Sequence, residues 1–293
     1  MQWIERCLQS IRQSTIPMTP LVIDNRSTDE TVQYIKTHFP EVILLPQDKN
    51  LGFGQANNRG IEYALSHQAT HILLLNQDAY IATNTIEKLL KHDDGKHLLT
   101  PIHMNGDGSH IDGNFYRNTI LAAFSSNSML NDALIGKGIG TTYDIDYVNA
   151  ACWLLPVPIV QQVGGFNPIF FQYGEDNNYI QRIHFHHFGI RLVTNTFIYH
   201  DRKKHGHEAI YQKGAIYRKL LLIRTDINLT AKERYFTCCK VYMQELGRSI
   251  LKHYFFACLK DITLAWCQLN RQVKAIKNSR KTEMTNKGAW LIQ

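Results

Sequence analysis

The feature that most constrains this chain is a repeated order: a short apolar run, a polar cluster, then a helix-like segment. Leu21-Val22-Ile23 leads into Asp24-Asn25-Arg26-Ser27-Thr28-Asp29. Val42-Ile43-Leu44-Leu45 precedes a glycine-bearing loop, Asn50-Leu51-Gly52-Phe53-Gly54. His71-Ile72-Leu73-Leu74-Leu75 ends at Asn76-Gln77-Asp78. Apolar runs of this length bounded by turn formers read as buried strands. Helices are expected over 3–13, from 27 to 38 with Ser27 and Glu30 as a capping box, from 55 to 66, and from Asn84. Strands alternating with helices predict an α/β fold whose sheet is mostly parallel.

The middle, residues 100–150, is rich in Gly, Asn, Asp and Ser and reads as loops and short strands over one end of the sheet. A strand is expected over 151–155, a helix over 157–163, a turn at Gly164-Gly165-Phe166, a helix over 175–187 and a strand near 191–193. From 207 the pattern turns helical. Ile250, Tyr254, Phe255, Leu259, Ile262 and Trp266 form an apolar stripe there, with Lys252 and Lys260 among them. The reading is two units, 1–205 and a basic helical extension 206–293.

Charge divides the same way. Residues 1–201 carry 13 Lys and Arg against 19 Asp and Glu, whereas 202–293 carry 19 against 6. An acidic body suits a metal site; a basic tail suits an anionic surface, with a solvated helical face as the alternative. The six cysteines show neither zinc spacing nor a CxxC pair, which favours reduced thiols in a cytosolic protein. Glu5, Arg6 and Arg12 interrupt the first apolar residues, so the N-terminus does not read as a secretory signal. No run of about 18 apolar residues predicts a membrane span.

Ligands of open α/β sheets bind beyond the C-terminal strand ends. The clusters at Asp24, Asn50 and Asn76–Asp78 should therefore share one edge, although each alone reads equally as turn and cap residues. Asp78 is a plausible ligand for Mg²⁺ or Mn²⁺, with His200, after the run Phe197-Ile198-Tyr199, as a second ligand or a structural residue. Glu175 and Asp176 open a helix, as caps or as a general base that the helix dipole keeps ionised.

Taken together, these elements resemble the family 2 nucleotide-sugar glycosyltransferases of GT-A fold, in their rhamnosyltransferase-like and galactofuranosyltransferase-like branch. The matching residues are Val22 to Asp29 (V-D-N-x-S-x-D), Asn50 to Gly60 (N-x-G-F-x-x-A-x-N-x-G), Leu73 to Asp78 (an N-x-D form of the D-x-D site) and Gly164 to Asp176 (G-G-F-x-x-x-F-F-x-Y-x-E-D). The resemblance runs from residue 1 to about 205. It implies an inverting transfer of a rhamnose-like or galactofuranose-like sugar from a UDP- or dTDP-linked donor. The acceptor is a growing bacterial surface polysaccharide or a lipid-linked glycan. In family terms Asp24, Asn25, Ser27, Asn50, Gly52, Asn57 and Asn76 line the donor nucleotide, Asp78 and His200 hold the Mn²⁺ or Mg²⁺, Asp176 is the base and Glu175 positions it.

The family also implies a strand before the first helix, ending in a T-Y-N-like turn in the nucleotide pocket. This sequence opens inside the helix that follows, about 15 residues on, the length of one strand and its turn. The expectation is a misplaced start or a truncation, with a non-catalytic binding or assembly module as the alternative function. A nucleotidyltransferase would want a glycine- and basic-rich phosphate loop near the N-terminus, which the sequence lacks. The setting expected is the cytoplasm, peripheral at the inner membrane face through 207–280, with no nucleic acid and with a homodimer possible through the tail.

Overall fold

The computed structural model describes residues 2–122, 128–202, 214–251 and 255–291. Its elements in order are α1 (Ile4–Arg12), β1 (Leu21–Asp24), α2 (Thr31–His38), β2 (Ile43–Pro46), α3 (Gly52–Ser66), β3 (His71–Leu75), β4 (Ala79–Ile81), α4 (Thr85–Leu90) and β5 (His97–Asn105). A short helix α5 (Gly113–Phe115) runs on into a wide π turn. Then come α6 (Met129–Leu134), β6 (Thr142–Asp144), β7 (Cys152–Pro156), α7 (Val157–Val163), α8 (Glu175–Phe185) and β8 (Gly189–His200). Among the described residues four helices follow: α9 (Ala215–Thr225), α10 (Ala231–Leu251), α11 (Phe255–Arg271) and α12 (Val273–Thr285). The 205/206 boundary lies outside the described residues, as do Lys252 and Tyr254.

The α/β class holds, with a pairing that differs from the alternation. The main sheet has the order β3-β7-β5-β8-β4, with β6 on β8. Only β5–β8 is parallel in it; β3–β7, β5–β7, β4–β8 and β6–β8 are antiparallel. β7 enters from a long loop rather than a crossover helix, so it can run either way. It runs against β3 and β5, leaving β3, β5 and β8 parallel to one another, so their C-terminal ends share one edge.

β1 and β2 form a separate parallel pair. No ladder joins β1 to β3. The two sheets are tied instead through helices: Ile11 of α1 packs against both cores, and Gly60 of α3 lies against Leu21 and Ile23.

β5 is the element that composition hid. A proline inside a strand pattern argues against a strand, because it cannot donate to the ladder. Here the β5–β8 register shifts between Pro101 and Ile102, so the irregularity falls at the proline. The expected capping box at Ser27 is also corrected. α2 starts at Thr31, Glu30 supplies no side-chain cap, and the Ser27 amide donates to the Asp24 carboxylate instead. A carboxylate three residues back satisfies that amide.

Under the Gly164-Gly165 turn lies an aromatic core of Trp153, Phe166 and Tyr179, with Phe166 and Tyr179 ring centroids 4.9 Å apart. The C-terminal helices are built onto it. Arg182 of α8 and Glu283 of α12 are both fully buried, Nε to Oε1 3.5 Å. The guanidinium also donates to the carbonyls of Val163 and Gly165, and Asn167 donates to Glu283 and Ser279. Burial pushes the Glu283 carboxyl up and the Arg182 guanidinium down, against their mutual attraction. Removing one partner strands the other charge in the core. Glu283→Ala should cost about 3–5 kcal/mol of stability, read as a lowered urea midpoint.

Candidate active site

The first cluster closes the N-terminus of α3. Asn25 Nδ2 donates to Asn50 Oδ1 (2.9 Å) and to the Gly52 carbonyl (3.2 Å), while Asn25 Oδ1 accepts from the Leu51 amide (2.7 Å). Asn50 Oδ1 also accepts from the Gly52 amide at 2.8 Å. The two loops that follow β1 and β2 are thus knitted by their asparagines. Asp24 is buried at the end of β1. Gly52 is required here: its φ is +75°, and a Cβ would sit 2.0 Å from the Phe171 carbonyl oxygen. That contact brings the α3 loop against the segment leading into α8. Asn57 is turned to its own helix, donating to the Phe53 carbonyl.

A residue not singled out from sequence does the joining. Buried Asn58 accepts from the Phe166 amide at 2.6 Å and donates to the Phe166 carbonyl at 2.8 Å, binding α3 to the glycine turn. It stands within the Asn50–Gly60 motif, and an asparagine on the buried face of a helix was the available signal.

The second cluster lies at the shared strand edge. Asn76 accepts from the Ala79 amide, closing the β3–β4 turn on which Asp78 sits. β4 pairs with β8 so that Ala79 faces His200. This sets His200 Nε2 3.2 Å from Asp78 Oδ1. His200 is buried and its Nδ1 has no partner among the described residues. His103 of β5, also missed from sequence, lies beside it with ring centroids 6.4 Å apart. It stacks on Phe115 and pairs with Thr100, and burial holds its imidazole well below the ordinary histidine pKa.

Among the described residues, no group of three or more His, Cys, Asp or Glu could hold a metal. The Asp78–His200 spacing nevertheless suits two neighbouring ligands of an octahedral cation, about 3 Å apart when each bond is about 2.1 Å. Mg²⁺ or Mn²⁺ takes its remaining ligands from phosphate oxygens and water, so the pair fits such an ion.

The third cluster opens α8. Gly174, at φ +99°, turns the chain into the helix. Asp176 is half-buried; its Oδ2 accepts from the Tyr147 hydroxyl at 2.9 Å and its Oδ1 from Asn177. Glu175 is buried, its Cβ near where a side chain on Gly54 would point, and its Oε2 has no partner among the described residues. Burial, and secondarily the charge of Asp176, pushes Glu175 up to about 7. The two adjacent carboxyls thus have opposite settings: one oriented and reachable, the other enclosed.

Comparisons with known proteins bear on the fold. Residues 1–123 match the family model "Glycosyl transferase family 2". The chain is thus similar to that family over its first 123 residues. It is 28% identical over 197 residues to the N-acetylglucosaminyl-diphospho-decaprenol L-rhamnosyltransferase of Mycobacterium tuberculosis, covering 59% of this chain and 63% of that one. It is 26% identical over 165 residues to the low-salt glycan biosynthesis hexosyltransferase Agl10 of Haloferax volcanii, covering 55% and 52%. The chain therefore spans between half and two-thirds of the length of these relatives. Among solved structures it superposes on S. aureus TarS 1–349 in complex with UDP-GlcNAc with a TM-score of 0.59 at 15% identity, covering 97% of this chain and 87% of that one. GalNAc-T7 with UDP, GalNAc and Mn²⁺ gives a TM-score of 0.51 at 13% identity, covering 86% and 56%. These likenesses establish the GT-A fold.

The raised Glu175 gives this chain a pH signature. Between the ordinary value of 4.5 and about 7, the folded state holds a proton that the unfolded state has released. Stability therefore falls as pH rises through that window, by at most about 3 kcal/mol, and levels off above it. Glu175→Gln should flatten that slope in urea titrations across the same range.

Proposed function

We propose that the chain transfers a hexose from a nucleoside-diphosphate donor, UDP- or dTDP-linked, to an acceptor hydroxyl with inversion at the anomeric carbon. The single observation that carries this is Asp176: a half-buried carboxylate at a helix start, oriented by Tyr147, on a segment whose Phe171 carbonyl abuts the α3 loop. Asp24, Asn25, Ser27, Asn50, Gly52 and Asn76 form the donor nucleotide side, with Asn57 behind them. Asp176 takes the proton of the acceptor hydroxyl as its oxygen bonds to the anomeric carbon and the bond to the donor phosphate breaks. Glu175, enclosed and held protonated to higher pH, supports that segment rather than accepting the proton. A Mn²⁺ or Mg²⁺ held by Asp78 and His200 would offset the charge that gathers on the departing diphosphate.

The sugar is rhamnose-like or galactofuranose-like, and the acceptor is a lipid-linked glycan or growing surface polysaccharide at the inner membrane face. The mycobacterial relative's name, a rhamnosyltransferase acting on a diphospho-decaprenol, supports this reading. A non-catalytic binding module is the alternative that the following measurement has to exclude.

Calorimetry with UDP and dTDP, with and without Mn²⁺, separates the two. Metal-dependent binding supports the enzyme, and failure to bind either nucleotide supports the module. Asp78→Asn should weaken the metal-dependent part; unchanged metal dependence would remove Asp78 from that role. Asp176→Asn should slow transfer by about 10²–10⁴-fold while leaving nucleotide affinity in place. Full activity in that variant would exclude Asp176 as the base.

A further inference from the structure

α10 and α11 form a hairpin on the outer side of the C-terminal helices. Its inner face is accounted for: Cys258, Ala265 and Leu269 pack with Leu220 and Leu221 of α9. Its tip is not. Leu251 is 81% exposed and Phe256 85%, with Ile250 and Phe255 exposed beside them. Four adjoining apolar side chains at a helix-hairpin end are costly to leave in water. Met243 and Trp266 extend the exposed apolar surface down the two helices.

Charge says what covers this tip. Over the described residues from 214 to 291, 14 Lys and Arg face 5 Asp and Glu. Arg248 and Lys260 are exposed within one turn of the tip on either helix, Arg248 lying 3.4 Å from Glu245 and Lys260 next to Asp261. A second copy would bring an equally basic region against this one. An anionic surface with an apolar interior takes both parts: side chains enter the acyl boundary while basic groups stay at the headgroups. No described helix is long and apolar enough to cross a membrane, so the contact is with one leaflet.

We propose that the α10–α11 tip, Ile250, Leu251, Phe255 and Phe256 flanked by Arg248 and Lys260, inserts into the headgroup region of an anionic phospholipid leaflet. This deepens the acceptor reading above, since a lipid-linked acceptor would be met at that surface. It is tested without catalysis.

The full chain is sedimented with vesicles of phosphatidylglycerol and phosphatidylethanolamine, and with phosphatidylcholine vesicles alone. Binding is expected to the anionic vesicles, weakened by salt, and not to phosphatidylcholine. Leu251→Glu with Phe256→Glu should lower it by at least about tenfold, since both apolar side chains are lost to the leaflet. Arg248→Gln with Lys260→Gln should weaken it in the same direction without touching the apolar tip. UDP calorimetry on each preparation reports separately on the donor site, so a failed tip and a failed donor reading give different results. Three results would overturn the proposal: no vesicle binding by the unaltered chain, undiminished binding by the double glutamate variant, or a dimer in sedimentation velocity that this variant dissolves.

Discussion

The buried Arg182 side chain is the constraint around which this molecule is arranged. A guanidinium removed from water must have its hydrogen-bond donors met and its charge answered. The carbonyls of Val163 and Gly165 accept from its two terminal nitrogens and Glu283 of the last helix answers its charge, while Nε has no hydrogen-bond partner among the described residues. Arg182 also lies over the Tyr179 ring, its Cζ 4.9 Å from the centroid. The helix bearing Glu175 and Asp176, the turn that Asn58 binds to α3, and the C-terminal helices are thus fastened at one point. The tail is an extension in charge and composition but not in packing.

That fastening explains what could be read from sequence. Apolar runs flanked by polar clusters located β1, β2, β3 and β7, and the 157–163 helix matched α7 without adjustment. These are local patterns. The Asn25–Asn50 pairing and the Asp78–His200 approach link residues distant in the chain, and no local pattern sets either. What stayed hidden was decided by tertiary context. β5 carries a proline at its bulge, β8 runs twelve residues where only three looked strand-like, and His103 is an ordinary strand residue until β8 brings His200 beside it. Ser27 looked like a cap because its spacing to Glu30 fits one, but Asp24 reaches its amide first. The apolar stripe across 250–266 was legible, although it belongs to two helices and its Ile262 turns inward.

The neighbouring carboxyls at the start of α8 show how one step along a helix separates two chemical settings. Position 175 faces the core and position 176 faces the tyrosine and the opening. Burial raises the first, while the second accepts hydrogen bonds from Tyr147 and Asn177. Identical functional groups one residue apart thereby become unequal without any help from a distant charge.

The interrupted sheet has a consequence for how ligand binding and folding are linked. The β1–β2 pair holds Asp24 and the loops of Asn25 and Asn50, yet it meets the main sheet through helices rather than a ladder. A unit joined in that way opens more readily than the core around Trp153. A nucleotide that binds only the closed form must draw that unit shut, and its apparent affinity is scaled by the fraction already closed. On the proposed donor reading, nucleotide affinity would double as a gauge of local order in residues 2–46. Amide exchange in β1 and β2 should move with it, while exchange in β5 and β8 stays at the global rate.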